Sequence, residues 1–143
     1  MVKKYKQRTE YYRQYALTHR DQLNAKLRRF SQTPKGFYKT LKGRKNKLKI
    51  TQADFLKWYT EQPQECFYCN ITPDKLIDKF SKVSGRETKR LTIDRLDSNL
   101  PYQLGNLVLA CYRCNITKSD FFTPEEMKLI ATMFIKPKWQ KFP

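Results

Sequence analysis

The chain has 143 residues, room for one compact domain with appendages and too few for two ordinary domains with separate cores. Its 30 Lys and Arg against 13 Asp and Glu give +17, well beyond the single-digit charge that solubility calls for, so a polyanionic partner is expected. Hydrophobic residues at 39% and aromatics at 14% exclude a wholly disordered basic tail, and neither a membrane span nor the apolar stretch of a secretory signal is present, which sets an intracellular location as the expectation.

Residues 1–50 hold sixteen Lys and Arg against two Asp and Glu, whereas residues 51–143 are close to neutral at +3. The split divides the chain into a basic, nucleic-acid-binding helical arm, residues 1–50, and a core, residues 51–143. In the arm, Tyr12, Ala16, His19, Leu23, Leu27 and Phe30 recur at steps of three or four, which predicts one long helix over about residues 8–31 with a narrow apolar stripe. Thr33 followed by Pro34 reads as an N-cap, and Phe37, Leu41 and Leu48 continue with helical spacing toward Lys49. Arg13, Arg20, Arg28, Arg29, Lys35, Lys39, Lys42, Arg44, Lys45 and Lys47 are the candidate phosphate contacts, interleaved with Tyr and Phe that can stack or pack. Thr51 and Asp54 start a bulky apolar helix with Phe55, Leu56, Trp58 and Tyr59, which stops before Pro63.

All four cysteines fall in two pairs, Cys66-Phe67-Tyr68-Cys69 and Cys111-Tyr112-Arg113-Cys114. Two C-x-x-C turns in a basic intracellular chain point to one zinc ion held by four thiolates at about 2.3 Å, and an ion with four protein ligands is structural because no position stays open. The 41 residues between the pairs exceed a zinc-finger loop, so the insert is expected to carry the function. Within it, Thr72-Pro73 opens a short helix with Leu76, Ile77 and Phe80, followed by a polar loop from Ser81 to Arg90. Leu91 to Leu96 alternates like a strand and Asp97-Ser98-Asn99 ends it; Leu107 to Ala110 forms a second strand running into the second pair. Asn115 to Asp120 reads as a short helix. Thr123-Pro124-Glu125-Glu126 is a capping box for a last helix whose inner face is Met127, Ile130, Ala131 and Phe134.

This order resembles the HNH endonucleases, a ββα-metal (His-Me finger) α+β fold, in the subgroup whose hairpin and helix are held by two CxxC pairs. The resemblance covers Cys66 to Asp120, about two fifths of the chain, and is densest at Leu91-Thr-Ile-Asp94-Arg95 and Gly105-Asn106-Leu-Val-Leu-Ala-Cys111-Tyr-Arg-Cys114-Asn115-Ile-Thr-Lys-Ser. It implies a divalent cation, Mg²⁺ or Mn²⁺, held by Asp94 and Asn115 against the scissile phosphate; a carboxylate and an amide carbonyl are suitable hard oxygen ligands. It also implies that Asn106 braces the loop between the strands. The family's general base, a His directly after the metal-binding Asp, is replaced here by Arg95, which stays protonated and cannot accept a proton. His19, the single histidine, lies on the arm stripe and reads as a packing residue. Asp97 is left with two readings, a substitute base and a turn residue. Arg95 itself suits a phosphate oxygen. By the same resemblance, phage-like and mobile-element members carry a similar Asp-Arg-Leu-Asp sequence.

The function implied is a metal-dependent DNA endonuclease of nicking or homing type acting on double-stranded DNA. The alternative is a weakly active or inactive nucleic-acid binder on the same scaffold, for example a structural component of a ribonucleoprotein particle. A zinc-bound protein-interaction module leaves the charge unexplained.

Overall fold

The computed structural model describes residues 2–44, 47–76 and 90–140, and its element order follows the α+β expectation. The arm runs as α1 (Val2–Thr18) and α2 (Arg20–Ser31), not as one helix. They meet at His19, whose ψ of 16° opens the turn while its backbone keeps both bonds, His19 N to Tyr15 O and Leu23 N to His19 O. The Thr18 hydroxyl bonds back to the Gln14 and Tyr15 carbonyls, a local competition that bends helices. The predicted stripe faces no core: Tyr12, Leu23, Leu27 and Phe30 are all exposed.

Helix α3 (Pro34–Lys42) starts as expected, with the Thr33 hydroxyl accepting from Gly36 N at 3.1 Å and Pro34 in the first turn. It stops at Gly43, earlier than the spacing of Leu48 suggested, and Leu48 instead bridges Tyr102 in parallel. Gly36 is required by packing: a Cβ there would lie 2.0 Å from the Phe30 carbonyl oxygen, so only glycine lets α3 turn under the end of α2. Helix α4 (Gln52–Glu61) is capped by Thr51, which accepts from Asp54 N at 3.2 Å. Phe37 and Leu41 of α3 join Phe55 and Trp58 of α4 in the same buried cluster as the cysteines and strands.

The segment after Thr72 forms a single 3-10 turn, Pro73–Lys75, with Leu76 buried; Ile77, Phe80 and the loop from Ser81 to residue 89 lie outside the described residues, as does Lys45. Strands β1 (Thr92–Arg95) and β2 (Leu107–Ala110) pair antiparallel, with Asp94 opposite Val108 and Thr92 opposite Ala110. Helix α5 (Tyr112–Lys118) begins three residues before the predicted start, because the Cys111 sulfur acts as its N-cap and accepts from Cys114 N at 3.4 Å. The second cysteine pair is thus the first turn of the helix, and β1, β2 and α5 form the ββα unit.

Thr123 and Glu126 make the reciprocal capping box of α6 (Pro124–Ile130). The inner face then departs from expectation: Met127, Ala131 and Ile135 are buried while Phe134 is 59% exposed. A π-helical segment, Ala131–Ile135, precedes α7 (Lys136–Gln140), and its wider turn carries the inward position one residue further along.

Candidate metal centre and nuclease site

The four cysteines are buried and unbridged, and their sulfurs all lie within 4.8 Å of one another. The Cys69 and Cys111 sulfurs are 3.8 Å apart, far beyond a disulfide bond. That separation matches the edge of about 3.8 Å in a tetrahedron with metal–sulfur bonds of about 2.3 Å. The first pair is shaped by its backbone: Asn70 N donates to the Cys66 carbonyl, Asn70 takes a left-handed φ of 60°, and Cys66 N returns to the Ile71 carbonyl. Phe67 N then donates to the Leu109 carbonyl at 2.8 Å, tying this knuckle to β2 just before Cys111. Hydrogen bonds with Cys111 and Cys114 lower the Cys66 and Cys69 thiols, while Cys114, crowded by Cys111 and Cys66, is pushed up. Four thiolates cannot coexist in this space without a cation, so the donor set fits a soft divalent ion such as zinc.

Beside this centre, α5 packs across β1. Strand alternation puts Thr92 and Asp94 on one face, and helical spacing puts Asn115 and Lys118 one turn apart on the facing side. The Asn115 amide Nδ2 donates to Thr92 Oγ1 at 2.8 Å, and the Lys118 ammonium lies 3.6 Å from Asp94 Oδ2. The Tyr68 hydroxyl donates to the same Asp94 oxygen at 2.8 Å. Asp94 is 7% exposed and Lys118 fully buried. Burial raises the Asp94 carboxyl above its ordinary value, against the opposing pull of the Tyr68 hydroxyl and the Lys118 charge. Burial, then the Asp94 carboxylate, raises the Tyr68 hydroxyl, which holds it protonated as a donor. Since Asn115 donates through Nδ2, its Oδ1 remains as a hard ligand, and one Asp94 oxygen with one amide oxygen suits a magnesium-like ion.

Arg95 ends β1, and Asp97 and Asn106 lie on the loop between the strands. Arg95 donates to the Leu100 carbonyl at 2.8 Å, with its guanidinium over the Tyr102 ring at 5.0 Å. Asp97 accepts from Asn99 N through Oδ1 at 2.8 Å, an Asx turn. Asn106 accepts from Asp97 N and donates to the carbonyls of Asp97 and Pro101, so its amide staples both ends of the loop. Of the arm cations, Arg13, Arg20, Arg28, Arg29, Lys35, Lys39, Lys42, Arg44 and Lys47 are exposed on or beside α1 to α3. Arg44 also donates to the Tyr102 hydroxyl, so that ring carries a guanidinium from the arm and one from β1. His19 stacks on Tyr15 at 4.0 Å, a packing role within the arm.

The motifs that contain Tyr68 and Lys118 do not by themselves assign either residue to the site. The place of Lys118 one helical turn after Asn115 is a signal that could find it; nothing local identifies the partner of Tyr68, which is 26 residues away.

A solved structure, that of the rare-cutting HNH restriction endonuclease PacI, described for an extraordinary mechanism of DNA perturbation, superposes on the chain with a TM-score of 0.62. The match is 28% identical and covers 76% of this chain and 80% of that one. The chain has the HNH nuclease fold. The matched share of this HNH-fold chain exceeds the two fifths that carry the motif, so the likeness reaches into its flanking helices. It supports a nuclease of the HNH type and a DNA partner. No protein-family model matches the sequence, and no curated protein matches it. Among the described residues no helix is long and apolar enough to cross a membrane.

Proposed function

We propose that the protein is a divalent-cation-dependent DNA endonuclease that hydrolyses phosphodiester bonds in duplex DNA, with zinc as its structural ion. The observation that supports the reading is the convergence of α5 on β1, where Asn115 bonds Thr92 and Lys118 pairs with Asp94 two residues along the same strand face. Asp94 and Asn115 would hold Mg²⁺ or Mn²⁺. A bound cation supplies Lewis-acid polarisation of the phosphodiester and stabilises the leaving oxygen. The residues do the rest: Thr92 orients the Asn115 amide, Tyr68 and Lys118 orient the Asp94 carboxylate, and Asn106 keeps the loop closed. Plasmid nicking in Mg²⁺ or Mn²⁺, compared with Asp94 and Asn115 variants, tests the reading.

Arg95 cannot serve as base, and one Asp97 oxygen is occupied by its own turn. We read Asp97 as a turn residue. Asp97→Asn keeps the Oδ1 acceptor and is expected to nick at the wild-type rate, while Asp97→Ala is expected to lose about 1 kcal/mol of stability in denaturant unfolding. A nicking rate that collapses in Asp97→Asn alone would make it the base. Without a His base the rate is expected to lie about 10² to 10⁴ below that of an enzyme that has one.

The arm supplies affinity through its exposed cations. Log affinity for duplex DNA is expected to fall linearly with log salt, with a slope of about 0.9 per phosphate neutralised, and removal of exposed arm charges should flatten it. A flat response in the wild type would refute a phosphate-tracking arm. Arg95 in place of His favours a second reading, a DNA-binding protein that has lost cleavage; equal inertness of wild type and the Asp94 variant would establish it.

A further inference from the structure

Lys118 is the only basic side chain among the described residues that is buried, and the proposed chemistry gives it no substrate contact. Its ammonium sits 3.6 Å from Asp94 Oδ2 and donates to Ser98 Oγ at 3.2 Å and to the Ser119 carbonyl at 3.3 Å. It therefore fastens α5, β1 and the interstrand loop together at the carboxylate assigned to the cation. A buried charge persists only when compensated, and here the compensation is mutual. The consequence is electrostatic. Asp94 brings one negative charge, Lys118 cancels it, and Asn115, Thr92 and the Tyr68 hydroxyl bring none, so the side chains in contact at the site sum to about zero charge. Magnesium-like ions are usually held by one or two carboxylates together with substrate phosphate. A cation approaching this site without DNA meets a carboxylate already paired with an ammonium, and the two positive charges repel each other at short range in a poorly screened position.

We propose that Lys118 makes cation binding at Asp94 conditional on DNA: the ammonium holds the empty site folded and charge-balanced, and the phosphodiester supplies the negative charge that the cation then requires. This rests on the assignment of Asp94 and Asn115 to a divalent cation. Lys118 acts through Asp94 as a positioning residue, not a catalytic one. Both described side-chain contacts fall on Oδ2, which assigns coordination to Oδ1. Linkage makes the effect reciprocal: the factor by which DNA tightens the cation is the factor by which the cation tightens DNA. Arg95, adjacent in sequence, is engaged by Leu100 and Tyr102 and is not needed for the balance.

The test is Mn²⁺ binding to the zinc-loaded full chain, followed by the electron paramagnetic resonance signal of free Mn²⁺, with and without a short phosphorothioate duplex. Only the Mn²⁺ site removed by Asp94→Asn is counted. The wild type is expected to bind Mn²⁺ about tenfold or more tightly when DNA is present. Lys118→Gln, which keeps a hydrogen-bond donor without the charge, is expected to bind Mn²⁺ about tenfold more tightly than wild type without DNA and to gain less from DNA. Lys118→Arg should keep the wild-type pattern. A zinc-loaded Lys118→Gln protein that binds Mn²⁺ no more tightly than wild type overturns the inference. If that variant loses zinc and unfolds, the wild type decides alone, since an affinity unchanged by DNA also overturns it. Absence of an Asp94-dependent Mn²⁺ site in both proteins, with DNA as without, would instead bring down the cation assignment itself.

Discussion

Replacing Asp94 with asparagine is expected to cut Mg²⁺-dependent plasmid nicking by about 10³-fold while leaving the protein folded and DNA-bound. Lewis-acid stabilisation is worth several kcal/mol, and each 1.4 kcal/mol or so is a factor of ten in rate. The choice of variant follows from the packing. Asp94→Ala would strand a fully buried ammonium and the Tyr68 hydroxyl, and breaking a buried pair from one side costs about 3 to 5 kcal/mol, enough to confuse loss of chemistry with loss of fold. The asparagine Oδ atom can still accept from both groups, so the carboxylate charge is the main change. Retained far-ultraviolet circular dichroism, retained zinc and an unchanged salt slope are the controls. Asn115→Ala should lower the same rate with a smaller effect on stability, because it removes a neutral ligand and a single hydrogen bond to Thr92. Nicking unaffected by either substitution would move the activity away from this site.

Removing zinc is expected to unfold the core. Metal analysis should find about one equivalent per chain, and a strong chelator should abolish the cooperative thermal transition. Structural zinc binding is worth about 10 to 16 kcal/mol in small domains, comparable with or larger than the whole stability of a typical domain, about 5 to 15 kcal/mol. The geometry explains the dependence. The four sulfurs join the knuckle at Cys66 to Cys69 with the junction of β2 and α5, and Cys66, Cys111 and Cys114 have no exposed surface. Without an ion, four buried thiols have only weak hydrogen bonds to one another, and the first turn of α5 loses its anchor. Because α5 carries both Asn115 and Lys118, nicking should vanish with the zinc and return on its readdition. A metal-free protein with an intact transition would contradict the structural role.

Features governed by neighbours a few residues apart were legible before folding. Thr33, Thr51 and Thr123 each cap the helix their sequence announces, since a cap is satisfied within three residues. Strand β2 falls on Leu107–Ala110 as read, an apolar run bounded by Asn106 and Cys111. The departures have local causes that pattern alone does not carry. A sulfur took the capping role at Cys111, the Thr18 hydroxyl competed for helix carbonyls beside His19, and a π turn displaced Phe134 in favour of Ile135. Cysteine is absent from the usual capping set, and helical periodicity assumes an unbroken 3.6-residue turn.

The candidate site divides along the same line. Composition and spacing alone determined the basic arm and the four-cysteine centre, because charge totals and ligand spacings are properties of the chain, whereas Asp94 and Asn115 stand out as candidate ligands only through the resemblance to the HNH endonucleases. Only the tertiary structure decided that Asp94 is enclosed by Tyr68 from the cysteine knuckle and Lys118 from α5, and that Arg95 is turned onto Tyr102. Spacing says which face of an element a residue occupies; which face it meets depends on packing between segments far apart in the chain. For Asp94 that packing sets the charge around the carboxylate, on which any cation chemistry there depends.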